Sequence, residues 1–181
     1  MSKVRIALDD LTVNNLGLFN LITAPEEYPQ SYIQECKESG ELAQYIYFNE
    51  VPVGVIVARP IQPTKSKSPV GLVIELLSVL KSYRHNFDLE NEAIAYIEKI
   101  GKETKHLNFG YILIDKEAND WLYEFIPSRG YIEEDLNDEL YKGLNLTKGK
   151  ENVVLFKKDL VNKLKAPPMP PQSMQFPQIS T

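Results

Sequence analysis

The sequence predicts an α/β domain built on a mixed central sheet, and three stretches carry that prediction. Gly71 to Leu80 is almost uninterrupted apolar, as expected of a strand covered on both faces. Phe87 to Glu103 places Leu89, Ala93, Ile97 and Ile100 on one helical face. Phe109 to Ile114 is a second apolar strand. Strand, helix and strand in that order read as a right-handed crossover joining a parallel pair.

The other elements follow in order. Val4 to Leu8 reads as a first strand. Val13 to Ile22 has apolar residues at helical spacing, with Asp9 and Asp10 available as caps. Ala24 to Pro29 is a loop, because each proline disfavours helix in the residue before it. Ser31 to Ser39 is a short helix closed by Gly40. Leu42 to Phe48 and Val53 to Arg59 form a hairpin across Asn49-Glu50-Val51-Pro52. Pro60 to Pro69 is an exposed loop. Trp121 to Phe125 is a helix stopped near Pro127. A late strand begins at Tyr131-Ile132, and Asn152 to Phe156 is the last strand. The domain is expected over residues 1–165. Residues 166–181 are rich in Pro, Gln and Ser and are expected to be a disordered tail, because they have too little apolar surface to offset ordering.

Composition bounds the function. A net charge of −5 argues against whole-chain attraction to nucleic acid or anionic membrane. A single cysteine, Cys36, rules out an internal disulfide. Its neighbours Glu35 and Glu38 disfavour a thiolate, so an inert thiol is expected. The first residues lack the apolar core of a signal peptide, and Val70 to Leu80 is too short to span a bilayer. A cytoplasmic protein is expected. His85 and His106 are the only histidines and show no metal-ligand spacing, so no metal site is expected.

The segment Leu77-Ser78-Val79-Leu80-Lys81-Ser82-Tyr83-Arg84 ends a buried strand at an arginine-bearing turn before the main helix. That layout resembles the cofactor site of GNAT-type N-acetyltransferases. The family pattern is Arg or Gln, two residues, Gly, one residue, then Gly or Ala. Counted from Arg84, its glycine positions hold Phe87 and Leu89. The block from Gly40 to Gly54, Gly-Glu-Leu-Ala-Gln-Tyr-Ile-Tyr-Phe-Asn-Glu-Val-Pro-Val-Gly, is similar to San-like, NatE-type N-terminal acetyltransferases, especially their degenerate yeast members. The likeness runs from about Ile6 to Leu160.

The resemblance implies a GNAT fold, in which two parallel strands splay apart and acetyl-CoA wedges between them. It implies that Leu77 to Val79 are the bulged part of the first splayed strand, with backbone amides facing the acetyl carbonyl as oxyanion donors. Arg84, His85 and Asn119 match positions near the cofactor; an N-cap is the other reading of Asn119. Pro25 and Tyr28 match the early substrate loop, and Tyr141 and Leu144 the late hairpin, although packing alone also accounts for Tyr28 and Tyr141. Ala24 and Glu26 imply a wider, more acidic mouth. The implied partners are the large helical-repeat auxiliary subunit of NatA and its catalytic subunit, with the ribosome reached indirectly and nascent peptide N-termini as substrate if the chain is active.

The chemistry is where the chain departs from that family. Active relatives assign proton transfer to a tyrosine on the first splayed strand and a histidine on the second. The matching positions hold Val73 and Ile114, which cannot accept or relay a proton. The tyrosine near the leaving thiol falls on Ile126. Phe87 and Leu89 stand where glycines let backbone approach a pyrophosphate. Asp88, Glu90 and Glu92 place carboxylates on the first helical turns, and Asp88 is expected to cap the helix itself. An inactive or severely impaired homologue is expected, with acetyl-CoA as cofactor only if it is active. The alternative is an active enzyme that moves acetyl from acetyl-CoA to Met-hydrophobic N-termini through a nonstandard grip. Restoring glycine at 87 and 89 is expected to improve acetyl-CoA binding more than turnover.

Overall fold

Among the described residues, seven strands form one sheet in the order β1-β2-β3-β4-β5-β7-β6. They are β1 (Ile6–Asp10), β2 (Ala43–Phe48), β3 (Val51–Ile61), β4 (Gly71–Val79), β5 (Phe109–Asp115), β6 (Ile132–Glu134) and β7 (Val153–Asp159). The helices are α1 (Leu18–Thr23), α2 (Gln30–Glu38), α3 (Leu89–Lys99) and α4 (Asp120–Tyr123). The computed structural model describes residues 5–62, 67–85, 87–117, 119–123, 125–135 and 153–161. Tyr141, Leu144 and the expected tail at 166–181 lie outside the described residues.

The β4–β5 pair is parallel and every other pair is antiparallel. The predicted crossover is therefore present, with α3 as its helix. Leu89, Ala93, Ile97 and Ile100 are all buried against the sheet, as their spacing requires. Glu90 and Glu92 in the first turn and Lys99 in the last complement the helix dipole. The helix continues into a single π-helical stretch, Ile100–Thr104. The β2–β3 hairpin turns at Asn49 and Glu50, both with positive φ. Two such residues in a two-residue loop match the twist of the flanking strands.

The early helix differs from expectation. Its apolar spacing began at Val13, but Val13 is 74% exposed and regular helix starts only at Leu18. Residues 12–15 close a turn instead, in which the Thr12 N–H donates to Asn15 Oδ1 at 2.7 Å. Asp9 and Asp10 are not caps: both belong to β1, and Asp10 accepts from Gln44 Nε2 at 2.6 Å. Gly40, at φ 62°, ends α2 as expected.

The sheet separates two apolar layers. One face carries α3 and α4 over Ile46, Ile56, Leu72, Ile74, Leu77, Val79, Ile112 and Ile114. The other carries α1 and α2 over Tyr45, Val55, Val57 and Leu76. Complete burial of one such aliphatic side chain contributes about 1.5–3 kcal/mol.

Candidate active site

The parallel ladder between β4 and β5 is short. It runs from Gly71–Phe109 to Ile74–Ile112 and then stops. Beyond it β4 continues along β3, and β5 continues along β7. The two strands therefore diverge at their C-terminal ends and leave a gap in the middle of the sheet. In open α/β sheets this is where ligands bind.

A bulge sets the divergence. Val57 opposes Leu76 while Ala58 opposes Ile74, so Glu75 is the extra residue on β4. Leu76 packs with the α1–α2 layer, and Glu75 reaches Tyr32 of α2 on the same side. The bulge thus sits at Glu75 and not, as expected, at Leu77 to Val79, which pair regularly with Gly54 to Ile56. An extra residue lets two consecutive side chains share one face, and Glu75 is the polar one. The Leu80 N–H donates to Val53 O at 2.8 Å. Alternation along a strand then turns the Leu77 and Val79 backbone groups the other way, toward the gap. Val79 O confirms the direction, since it accepts from Arg84 Nε at 2.8 Å.

A cleft of about 720 Å³ opens at the gap. It gathers Pro25, Tyr28, Val79, Arg84 and Asn119 from distant parts of the chain. The Tyr28 ring stacks on Tyr32 at 5.1 Å, and its backbone is clamped by Asn20 through two hydrogen bonds of 2.8 and 3.0 Å. Glu26, Glu27, Glu75, Asp115 and Glu117 line the cleft against Lys81 and Arg84, so the mouth is acidic as expected. Asn119 also precedes α4, where its carbonyl accepts from the Leu122 N–H at 2.9 Å.

Other expected residues lie elsewhere. The Leu77 side chain belongs to the α3 layer, and only its backbone faces the gap. His85 lines a separate shallow depression with Lys116, Asp120, Trp121 and Tyr123. Its ring meets the Trp121 edge at 5.5 Å. Val73 lies in the closed part of the ladder opposite Tyr111, buried with Ile61 and Leu155. Ile114 is fully buried under α3, on the wrong face for the cleft, and Leu113 and Asp115 are the β5 residues that line it. A one-residue offset on a strand inverts the face. Leu113 is again aliphatic, and the ionisable side chains of β4 and β5 that line the cleft are Glu75 and Asp115. Ile126 is fully buried in the core.

Sequence reasoning missed one polar constellation. Glu75 accepts from Tyr32 Oη and from Arg59 Nη2 (2.9 Å), and it also forms an ion pair with Arg59 Nε. Burial, followed by the Glu75 charge, pushes the Tyr32 hydroxyl well above its ordinary range. Tyr32 is therefore a neutral donor and not a base. The only sequence signal was Glu75 itself, a lone carboxylate in an apolar run.

The turn after β4 tests whether an acetyl-CoA diphosphate fits. Phe87 packs at 4.4 Å on Phe48 and 5.9 Å from Tyr83. Leu89 is fully buried. Asp88 sits before α3 with φ 63° and makes no side-chain cap; its carboxylate accepts from Asn91 instead. The left-handed backbone of Asp88 directs its side chain away from the helix's free N–H groups. Glu90, 2% exposed, turns back instead of capping the helix: its carboxylate accepts the His85 N–H at 3.0 Å. Arg84 is committed too, with its guanidinium 4.4 Å over the Trp121 ring. Burial lowers its pKa. The residues of this turn do not fit a diphosphate.

A mixed sheet opened between two parallel strands, with helices on both faces, defines the GNAT acyltransferase architecture. Arabidopsis thaliana Naa50, solved in complex with the bisubstrate analogue CoA-Ac-MVNAL, superposes with a TM-score of 0.62 at 17% identity, covering 84% of this chain and 97% of that one. The probable N-acetyltransferase san of Drosophila melanogaster is 27% identical over 146 residues, 78% of this chain and 76% of that protein. An uncharacterized N-acetyltransferase of Schizosaccharomyces pombe is 30% identical over 133 residues, 70% of this chain and 88% of that protein. No family model matches the chain. The chain belongs to the San-like N-acetyltransferases of the GNAT superfamily.

Proposed function

We propose that this chain is an N-α-acetyltransferase homologue whose transfer chemistry is lost or severely weakened, and which acts as a bound subunit of the NatA complex in co-translational N-terminal acetylation. One observation carries the reading: the turn that would receive the cofactor's diphosphate is closed by Phe87, Leu89 and the chain's own Glu90 carboxylate. The aliphatic residues at the positions matched to the family's proton-transfer groups, Val73 and Ile114, support it. The partners are the large helical-repeat NatA subunit and its catalytic subunit, with the ribosome reached through them in the cytoplasm. The NatA assignment is an inference from the San-like family.

A second reading is favoured by the splay, which turns the Leu77 and Val79 amides away from β3, with Val79 lining the cleft. An enzyme could use those amides as an oxyanion hole and move acetyl from acetyl-CoA to Met-hydrophobic N-termini. Two assays separate the readings. The purified chain is incubated with acetyl-CoA and a Met-Leu peptide, and the peptide mass is followed. Affinity-tagged chain is recovered from its native cells and the co-purifying subunits are identified. The first reading expects no enzyme-dependent acetylation and stoichiometric NatA subunits. Multiple turnovers by the isolated chain would establish the second.

A further inference from the structure

Glu90 is a carboxylate that the helix does not need where it stands. Glu92 already supplies first-turn negative charge, and Glu90 faces inward, 2% exposed. Its carboxylate accepts the backbone N–H of His85, five residues back across the turn, at 3.0 Å. That contact is charge-assisted, the kind of bond a phosphate oxygen makes with a turn amide. A diphosphate arriving here would find this donor in use. It would also meet the charges of Glu90, Glu92 and Asp120, with Arg84 held by Val79 O and Trp121.

The other half of the cleft is different. Between β4 and β5 the Val79 backbone lies at the cleft, its carbonyl accepting from Arg84 Nε and its N–H turned away from β3, and this strand edge suits an uncharged chain carrying amides. The cleft thus has an amide-pairing edge on the Val79 side and an anion-binding part that is filled from within.

We propose that Glu90 is an internal stand-in for the cofactor's phosphate, so that the cleft takes the neutral pantetheine arm of an acyl thioester and gains nothing from the nucleotide diphosphate. The inference rests on the reading of the cleft as a degenerate acyltransferase site, but it concerns binding and not turnover.

The test is isothermal titration of the full chain with acetyl-CoA and, separately, with S-acetylpantetheine, for the wild type and for Glu90→Gln. Glutamine keeps an oxygen to accept the His85 N–H and removes the charge. The expected result is that the wild type binds the two ligands with affinities within about threefold, while Glu90→Gln gains at least about tenfold for acetyl-CoA and less than about threefold for S-acetylpantetheine. Wild-type affinity for acetyl-CoA more than about tenfold above that for S-acetylpantetheine would overturn the proposal, because the nucleotide would then be engaged. Failure of S-acetylpantetheine to bind the wild type would overturn it too, as would an equal gain for both ligands. If Glu90→Gln fails to fold by circular dichroism, the two wild-type titrations decide alone. Tight acetyl-CoA binding without turnover would sink this inference and the closed-turn argument with it, and leave the loss of chemistry resting on Val73 and Ile114. Turnover would sink the functional reading.

Discussion

Replacing Leu89 with glycine, the residue the family pattern calls for, should unfold much of the protein's stability margin before it repairs any cofactor site. Leu89 opens α3 and is fully buried among Ala93, Ile94 and the sheet. Truncating a buried leucine to alanine costs about 2–5 kcal/mol. Glycine in a helix adds about 1 kcal/mol over alanine. The sum, about 3–6 kcal/mol, is a large part of the ~5–15 kcal/mol that holds a domain folded. For a chain of this size each kcal/mol moves Tm by about 2–4 °C, so the midpoint should fall by about 6–24 °C. Urea denaturation followed by circular dichroism measures this directly. A loss below about 1 kcal/mol would refute the reasoning, since ordinary exposed positions fall in that range. It would mean that the turn can open and that glycine geometry is within reach. Glycine restoration at 87 and 89 is thus a stability experiment first and a binding experiment second.

Three further outcomes follow from the packing. Ile114→His should cost at least about 2 kcal/mol by urea denaturation, because it buries a polar ring under α3, whereas Leu113→His, facing the cleft, should cost less than about 1 kcal/mol; the reverse order would undo the face assignment. Burial pushes the Cys36 thiol from 9.0 up to about 12, so the unfolded chain loses this proton first and stability should fall as pH rises from about 9 toward 12, with the slope reduced in Cys36→Ala; Ellman's reagent should label Cys36 at pH 8 only after denaturation. Glu98 accepts from Arg129, Tyr131 and Lys158, so Glu98→Ala should cost about 2 kcal/mol, less than a fully buried network because solvent reaches the cations; a thermal midpoint unchanged within 1–2 °C (about half a kcal/mol) would show the cluster is incidental.

Much of this fold was legible in the sequence because its strongest elements repeat their apolar residues at the right period. The four residues named for the main helix are the four that pack on the sheet. The hairpin was legible because two β-rich runs flank Asn49-Glu50-Val51-Pro52, and its turn falls at Asn49 and Glu50. Val13 misled because apolar spacing says which residues could share a face, not whether a face is there to cover them. In the site, Pro25, Tyr28, Arg84 and Asn119 do converge on one cleft. Ile114, matched to the family's histidine, is buried under α3, because strand periodicity is two and its neighbours Leu113 and Asp115 take the cleft side. The Glu75 bulge left only one mark, a carboxylate inside an apolar run. Glu90 left none, since a glutamate in a first helical turn is ordinary. Only the left-handed backbone at His85 and Asp88 brings its carboxylate under the turn.

The most direct measurement of the central claim, that the chain closes its own diphosphate site, is the thermal midpoint of the isolated protein with and without 1 mM acetyl-CoA, a concentration of about 10⁻³ M chosen to span the relevant range of Kd. A Kd near millimolar stabilises by about 0.4 kcal/mol, which moves the midpoint by about 1–2 °C. A micromolar Kd stabilises by about 4 kcal/mol and moves it by about 8–16 °C. The closed turn predicts the small shift. The large one would show that acetyl-CoA displaces Glu90, and that the site is a working cofactor site after all.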